Sequence, residues 1–430
     1  MDFAAFVLLN AVLFIRPMEF IPAFYGLPLY NMAFCLCLFL SLPALLGKGV
    51  LRTIVFHPIG VCVLTLASTA VLSNLANGGI QDAADAFDVM SKVFLYYILL
   101  VVVVRTPARL KWFLAAMVIN GCVVAGVGIA DYKGIIRIPS LIVVEEMRYA
   151  NGQAIPFRRL GSTGLFADPN DLGLFLVGCM INSLYLASDR SVALPLRALW
   201  LLPLGVLFMA LLLTYSRAGM LTLLVALAIY GIARYGWRAL LPMALALPVV
   251  LGVGGRQMEF KLSGGTGQTR VVIWDCFFSL FVQNPVLGVG YNHCLDYADQ
   301  VAHNSYLHAF AELGYVGGTS FLGAVLLGLY ALLRIGPLRT GRLDPALAKL
   351  WPFLLAGIGC FAFGIMSLSR CYVTPTYSIL GLVAAYERMA LAVSPRRPLR
   401  LGPTMIGLLL LSGVAFLLIM FVIIKKNANY

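Results

Sequence analysis

Charge is what this chain has least of. Only 11% of its 430 residues are Asp, Glu, Lys or Arg, where a soluble domain carries about 25%. With 61% hydrophobic residues, that scarcity excludes an ordinary soluble globular protein. Histidine is scarcer still, with four in the chain. The nine cysteines include no C-x-x-C pair at zinc spacing. Cys35, Cys37, Cys62, Cys122 and Cys179 lie in apolar runs and read as small buried hydrophobes. Cys276 and Cys294 flank one polar segment and are the pair placed to bridge in an oxidising compartment. The sequence has no P-loop, no nucleotide-binding glycine fingerprint and no G-x-S-x-G elbow, which disfavours ATP-driven transport and serine hydrolysis. Asp82, Asp85 and Asp88 share a helical face, and Asp296 and Asp299 lie close in sequence, but neither set has histidine or cysteine at metal spacing. No metal box and no cofactor-binding motif is therefore read from the sequence. The first residues lack a positive n-region and a clear cleavage site, so a removed signal peptide is not expected.

What is present is a succession of long apolar runs. A membrane-spanning helix needs about 20 mainly apolar residues. Such runs fall near 2–15, 29–46, 55–76, 91–104, 111–130, 165–187, 198–213, 217–233, 239–254, 305–333, 350–368, 374–390 and 403–424. The expected fold is an all-α polytopic transmembrane helical bundle of about 12–14 spans, because every span must satisfy its own backbone hydrogen bonds. The whole chain, 1–430, reads as a single transmembrane domain with no inserted soluble domain.

The net charge of +13 would suit nucleic acid, but its distribution does not. Basic residues sit singly or in small groups between apolar runs, as topology signals do. Lys48 and Arg52, Arg105 to Lys111, Arg190 and Arg197, Arg234 and Arg238, Arg334 to Lys349, and Arg388 to Arg400 mark alternate loops as cytoplasmic. The acidic stretch Gln81–Asp88 and the long loops at about 131–164 and 255–304 then face outside. Membrane lipids are the expected surroundings, and no nucleic-acid partner is expected.

Arg217 runs against this pattern. It sits in Leu213-Thr214-Tyr215-Ser216-Arg217-Ala218-Gly219, a tight turn on the external side. Ionisable groups at membrane depth are costly and tend to mark function, although snorkelling to lipid phosphate would also account for it. Arg270 ends a glycine-rich run on the same side, and His303 heads the apolar run from 305. Arginine suits bidentate phosphate binding, and an imidazole at the membrane boundary suits a general base. Two arginines and a histidine on one external face point to chemistry on a lipid-linked phosphate or diphosphate. Other features have plainer readings. Asp168-Pro169 is a helix N-cap with proline at the first position. His308 and Glu312, four apart, pair on one helix face.

Four segments together resemble the bacterial O-antigen ligase and polymerase superfamily of integral membrane glycosyltransferases. Thr214-Tyr215-Ser216-Arg217-Ala218-Gly219 is similar to its T-x-S-R-G turn, with Ala218 in place of the usual glycine. Arg270-x-x-x-Trp274 followed by Asn284-Pro285-Val286-Leu287-Gly288-Val289-Gly290 resembles a run of the large external loop. His303-Asn304-Ser305-Tyr306-Leu307, with Glu312, Gly314 and Gly317, resembles the H-N-x-[YF]-L…E-x-G-x-x-G segment. Arg159-Leu160-Gly161 with Asp168-Pro169-Asn170 resembles an upstream element. The motifs cover roughly 158–320, within an O-antigen ligase-like core region of 158–370.

The resemblance implies a helical membrane glycosyltransferase (GT-C-like) fold in the bacterial inner membrane, with a metal-independent site on the periplasmic side. It implies an undecaprenyl-diphosphate-linked glycan as donor, and lipid A-core or a second lipid-linked glycan as acceptor. Arg217 and Arg270 would hold the diphosphate and His303 would activate the acceptor hydroxyl. Arg159 is a further phosphate candidate. Tyr215, Trp274, Tyr291 and Tyr306 are candidates for stacking on sugars, a role that interfacial aromatic belts rival. A lipid-linked oligosaccharide flippase or other secondary transporter is the competing reading, since such proteins have similar span counts. The concentration of polar residues on one face favours the transferase.

Overall fold

A computed structural model of the chain describes residues 1–141, 144–150, 153–239, 241, 244, 266–336, 343–392 and 398–427. Helices dominate: α1 (Asp2–Ile15), α2 (Leu29–Leu45), α3 (Val50–Val55), α4 (Pro58–Asn77), α5 (Ile80–Val103) and α6 (Pro107–Tyr132) come first. A hairpin follows, β1 (Glu145–Ala150) and β2 (Gln153–Arg158), paired antiparallel with Glu145 opposite Arg158. Then come α7 (Pro169–Ala187), α8 (Leu194–Ala198), α9 (Leu201–Leu213), α10 (Arg217–Tyr235), α11 (Thr266–Gln283), α12 (Ser305–Ile335), α13 (Pro345–Gly364), α14 (Thr374–Ala392) and α15 (Pro403–Asn427).

The chain is thus a polytopic helical membrane bundle. Among the described residues, nine helices are long and apolar enough to cross a membrane, and α2 is a shorter apolar helix. The expected span at 91–104 is longer than its apolar run. Its helix begins at Ile80, so the acidic stretch forms the first turns of α5 and is not a loop. Residues 266–283, expected within an external loop, form α11. Within the other expected loop, 145–158 form the hairpin. Most of 239–254, together with Arg256, Lys261 and residues 263–265 of the glycine-rich run, lies outside the described residues.

Helix starts follow ordinary capping chemistry. Thr106 accepts from the Arg109 amide ahead of Pro107, and Asp168 accepts from the Asn170 amide at 2.6 Å ahead of Pro169. Each satisfies one of the amides that a helix start leaves unpaired.

Two compact units arise, each discontinuous in sequence. The first comprises Met1–Pro43, Val103–Glu259 and Lys349–Gly364. In it, Phe14, Phe166 and Phe175 stack at 4.5–6.1 Å between ring centres. Helices α7 and α10 cross at Gly173 and Gly219, where a methyl on either would lie 3.3 Å from the other's Cα. The second comprises Ala44–Val102, Phe260–Ala348 and Ile365–Tyr430. Its core joins α11, α12 and α15 through Phe277, Leu280, Leu307, Ala311, Met420 and Ile424. Cys276 and Cys294, placed to bridge by sequence, are both free thiols. Cys294 is buried in that core, while the Cys276 thiol faces the Tyr297 carbonyl.

Candidate active site

In the first unit the expected elements meet at the start of α10. Tyr215 takes a left-handed backbone, φ 49°. Ser216 then caps the helix, its Oγ accepting from the Gly219 amide at 3.0 Å. This makes Arg217 the first helical residue. A helix N-terminus is already positive, so a guanidinium there adds to an anion-attracting end.

Arg159 is tied to the same turn. Its Nε donates to the Thr214 carbonyl at 2.9 Å and its Nη2 to Asn170 Oδ1 at 3.0 Å. The Ser216 hydroxyl donates to the same Asn170 oxygen at 2.8 Å. Asn170 itself stands in the first turn of α7, set there by its Asp168 cap. The capping role read for Asp168 is therefore what places Asn170 between Arg159 and Ser216. The backbone agrees, with the Leu160 amide donating to the Leu213 carbonyl at 3.0 Å. Two motifs some 50 residues apart in sequence thus form one polar network. Tyr215 is exposed and meets Phe157 edge-on at 5.1 Å.

In the second unit, His303 occupies a matching place. Its backbone is also left-handed, φ 47°. Asn304 caps α12, its Oδ1 accepting from the Tyr306 and Leu307 amides at 3.1 and 3.2 Å. The residue before His303 is held by Trp274, whose indole N–H donates to the Ala302 carbonyl at 2.8 Å. Arg270 lies one turn before Trp274 on α11, four residues away and on the same helix face. Trp274 therefore steadies the His303 turn through the backbone. Tyr306, a candidate for stacking on a sugar, is 5% exposed and packs between Phe321 and Phe416. It is a core residue.

What fixes α12 behind His303 is a break. Gly314 departs from helical geometry at φ 62°, ψ −161°. An unbroken helix would spend the Ala311 and Glu312 carbonyls on amides four residues later. The break frees them, and the Val289 and Gly290 amides donate to them at 3.1 and 3.0 Å. The Tyr315 amide in turn donates to the Pro285 carbonyl at 2.7 Å. The approach is so close that a methyl on Gly314 would meet the Val286 carbonyl, and one on Gly288 the Glu312 carbonyl. Helix α4 clasps the crossing: Ser73 Oγ donates to the Leu287 carbonyl at 2.5 Å, and Asn77 Nδ2 to the Gly288 carbonyl at 3.0 Å. The glycines at 288 and 314 are thus required by backbone contact.

Beneath the turn lies a buried polar pair. His308 Nε2 is 3.1 Å from Glu312 Oε1, as their spacing predicts, and the Cys294 amide donates to the same oxygen at 3.2 Å. Tyr291 packs edge-on against Tyr372 at 4.8 Å. Burial, then the nearby Glu312 and Cys371, push the Tyr291 hydroxyl up to about 12, so it stays neutral. The sequence placed Asn170 in a family-like element without giving it a role, and passed over Arg370, whose amide donates to Ser305 Oγ at 2.8 Å. The only signal for Arg370 was a polar interruption, Ser367-Leu368-Ser369-Arg370, between apolar runs. Among the described residues no group of three or more His, Cys, Asp or Glu is arranged to hold a metal ion.

Arg217 thus belongs to one unit, and Arg270 and His303 to the other. A comparison with family models links them in sequence. Residues 202–322 match the Wzy_C model, O-antigen ligase. No curated protein matches the chain. The matched segment contains Tyr215, Arg217, Arg270, Trp274 and His303. Arg159 and Asn170 lie outside it and are joined to it by the hydrogen bonds above. The segment carrying Arg217, Arg270 and His303 is thus similar to the O-antigen ligase family, a likeness that supports membrane glycosyl transfer in general.

Proposed function

We propose that the protein transfers a glycan from undecaprenyl diphosphate to an acceptor hydroxyl on the periplasmic face of the bacterial inner membrane, without a metal. The acceptor is lipid A-core or a second lipid-linked glycan. The observation that carries this reading is the construction of the His303 turn. An imidazole is presented at a helix start by a left-handed backbone, a side-chain cap and a tryptophan clamp, within the family-matched segment. Non-glycine residues adopt that backbone at a cost and persist where the surroundings impose it, often at functional sites.

The chemistry follows from the residue types. The acceptor oxygen attacks the anomeric carbon while His303 takes the hydroxyl proton. A carbon–oxygen bond forms to the acceptor as the bond to the diphosphate breaks. The electron pair leaves on the diphosphate, whose growing charge Arg217 and Arg270 stabilise. Arg159 supports the Arg217 end by fixing its turn. Tyr215, exposed beside Arg217, is the aromatic best placed to meet a sugar.

The test supplies purified protein with an undecaprenyl-diphosphate glycan, either with lipid A-core or alone, and resolves the products by mass. Transfer to lipid A-core identifies a ligase. A ladder of lengthening glycans from donor alone identifies a polymerase. Whichever activity is found is expected to fall by about 10²–10⁴-fold in His303→Ala. Donor movement across vesicles with no new glycosidic bond under either condition would overturn the reading in favour of a transporter.

A further inference from the structure

A second basic feature stands beside the Arg217 turn, in the same unit. Strand β2 runs into Phe157-Arg158-Arg159, and alternate side chains of a strand point to opposite faces. Phe157 meets Tyr215, and Arg159 reaches Thr214 and Asn170. Arg158 turns the other way, into a groove of about 630 Å³. The groove is lined by Asp131, Arg137, Arg158, Ile135, Ile136 and Leu141, among others. It begins where the candidate span Pro107–Tyr132 ends, and so where a membrane helix meets water.

Its lining has a particular chemistry. The Asp131 carboxylate is already engaged: it accepts from the Ile138 amide at 2.8 Å and from Arg158 Nη2. Arg158 Nη1 donates to the Asp131 carbonyl at 3.2 Å, and its guanidinium lies over the Tyr132 ring. Arg158 Nε is buried and has no partner among the described residues. Arg137 is exposed. Two arginines against one aspartate leave the charged lining at +1. The remaining walls are aliphatic, and Ile135 is 76% exposed. An anion with a hydrocarbon chain matches this lining. A neutral sugar does not, because the one carboxylate that would accept from its hydroxyls is already bonded. Arginine binds the oxygens of such an anion, phosphate among them, in bidentate fashion.

We propose that this groove seats the phosphate of a lipid headgroup, with the lipid chain against Ile135, Ile136 and Leu141, and that in the reaction it holds the acceptor lipid. The binding stands on the groove alone. The acceptor role rests on the glycosyl-transfer reading above.

The test uses the full chain in detergent and phosphatidic acid bearing a photoreactive acyl chain, with cross-linked residues mapped by mass spectrometry. Cross-links are expected within 135–141. Arg137→Ala should reduce them about tenfold at limiting lipid, the scale of one charge-assisted contact. Diacylglycerol of the same chains, lacking phosphate, should label the groove no better than that variant does. Millimolar inorganic phosphate should leave the labelling in place, and its full loss would show a free-anion site and overturn the lipid assignment. Equal labelling of wild type and Arg137→Ala would overturn the proposal. Under transfer conditions, Arg137→Ala should raise KM for the acceptor with little change in kcat. If no transfer occurs but labelling depends on Arg137, the glycosyl-transfer reading and the acceptor role fail, and the lipid site stands.

Discussion

Tyr215 and His303 hold corresponding positions in two different turns. Each has a left-handed backbone, φ 49° and 47°, immediately before a capping side chain, Ser216 or Asn304, and each therefore opens a helix. The supports differ. The Tyr215 turn is held by side chains, with Arg159, Asn170 and Ser216 sharing one amide oxygen. The helix after His303 is held by backbone, through carbonyls freed at Gly314 and taken up by Val289 and Gly290. A network of side chains can loosen by degrees, because each contact can be lost alone. A backbone crossing at van der Waals contact tolerates no added atom. The same local motif, a strained residue before a cap, is thus made rigid by two different means.

The largest effect should come from the residues that the turns present. His303→Ala should lower transfer by about 10²–10⁴-fold, and Arg217→Ala by about 10²–10³-fold, each with an unchanged thermal midpoint in detergent. A matching loss of stability would mean that these side chains support the turns, and the comparison between presented and supporting residues would fail.

Next in size is the backbone crossing. Gly314→Ala should destabilise by about 3 kcal/mol, from a positive φ and contact with the Val286 carbonyl. Thermal unfolding would show it, and Gly288→Ala should behave alike. Gly126→Ala serves as control, since nothing lies within 4 Å of the added methyl. A midpoint for Gly314→Ala equal to that of the control would mean that the backbone crossing is no more rigid than an open helix face.

The side-chain network should yield more gently. Asn170→Ala leaves Arg159 Nη2 and the Ser216 hydroxyl without their shared acceptor, at a cost of about 1–3 kcal/mol. Activity should fall with it, because the Arg217 turn loses its tie to α7. Asn170→Asp, which keeps an acceptor oxygen, should recover most of the midpoint. Failure of that recovery would show that the site depends on the amide group itself.

The smallest effect is a pH dependence away from both turns. Asp189 lies between α7 and α8, bonded to Lys111 at 2.5 Å and Lys349 at 2.7 Å. Burial opposes its charge, but those lysines and Ser191 hold the carboxyl well below the ordinary range. A depressed folded-state pKa gives stability that is present above the ordinary carboxylate value of about 4 and is lost as pH falls below it. Wild type should therefore lose more of its thermal midpoint between pH 7 and pH 3 than Asp189→Asn. Equal losses would assign the acid sensitivity elsewhere.

The sequence by itself determined that this is a helical membrane protein, because a 61% hydrophobic chain with spaced long runs has few other ways to satisfy its backbone in lipid. It also located the helix start at Asp168, since capping depends on residues one to three positions apart. His308 and Glu312 pair as their spacing requires. Longer-range matters were decided by tertiary structure. Ile80 starts α5 ahead of its apolar run, since a helix can extend into water past the hydrophobic stretch. Tyr306 is buried, although its helical position left both faces open. The sharing of Asn170 by Arg159 and Ser216 joins residues 11 and 46 positions apart. No local pattern encodes such a meeting, because it depends on how α7 and α10 cross at two glycines. Likewise, the glycines at 288 and 314 were visible in sequence as a motif. That Gly288 makes room for the Glu312–Leu313 backbone, and Gly314 for the Val286–Leu287 backbone, followed only from the packed chain.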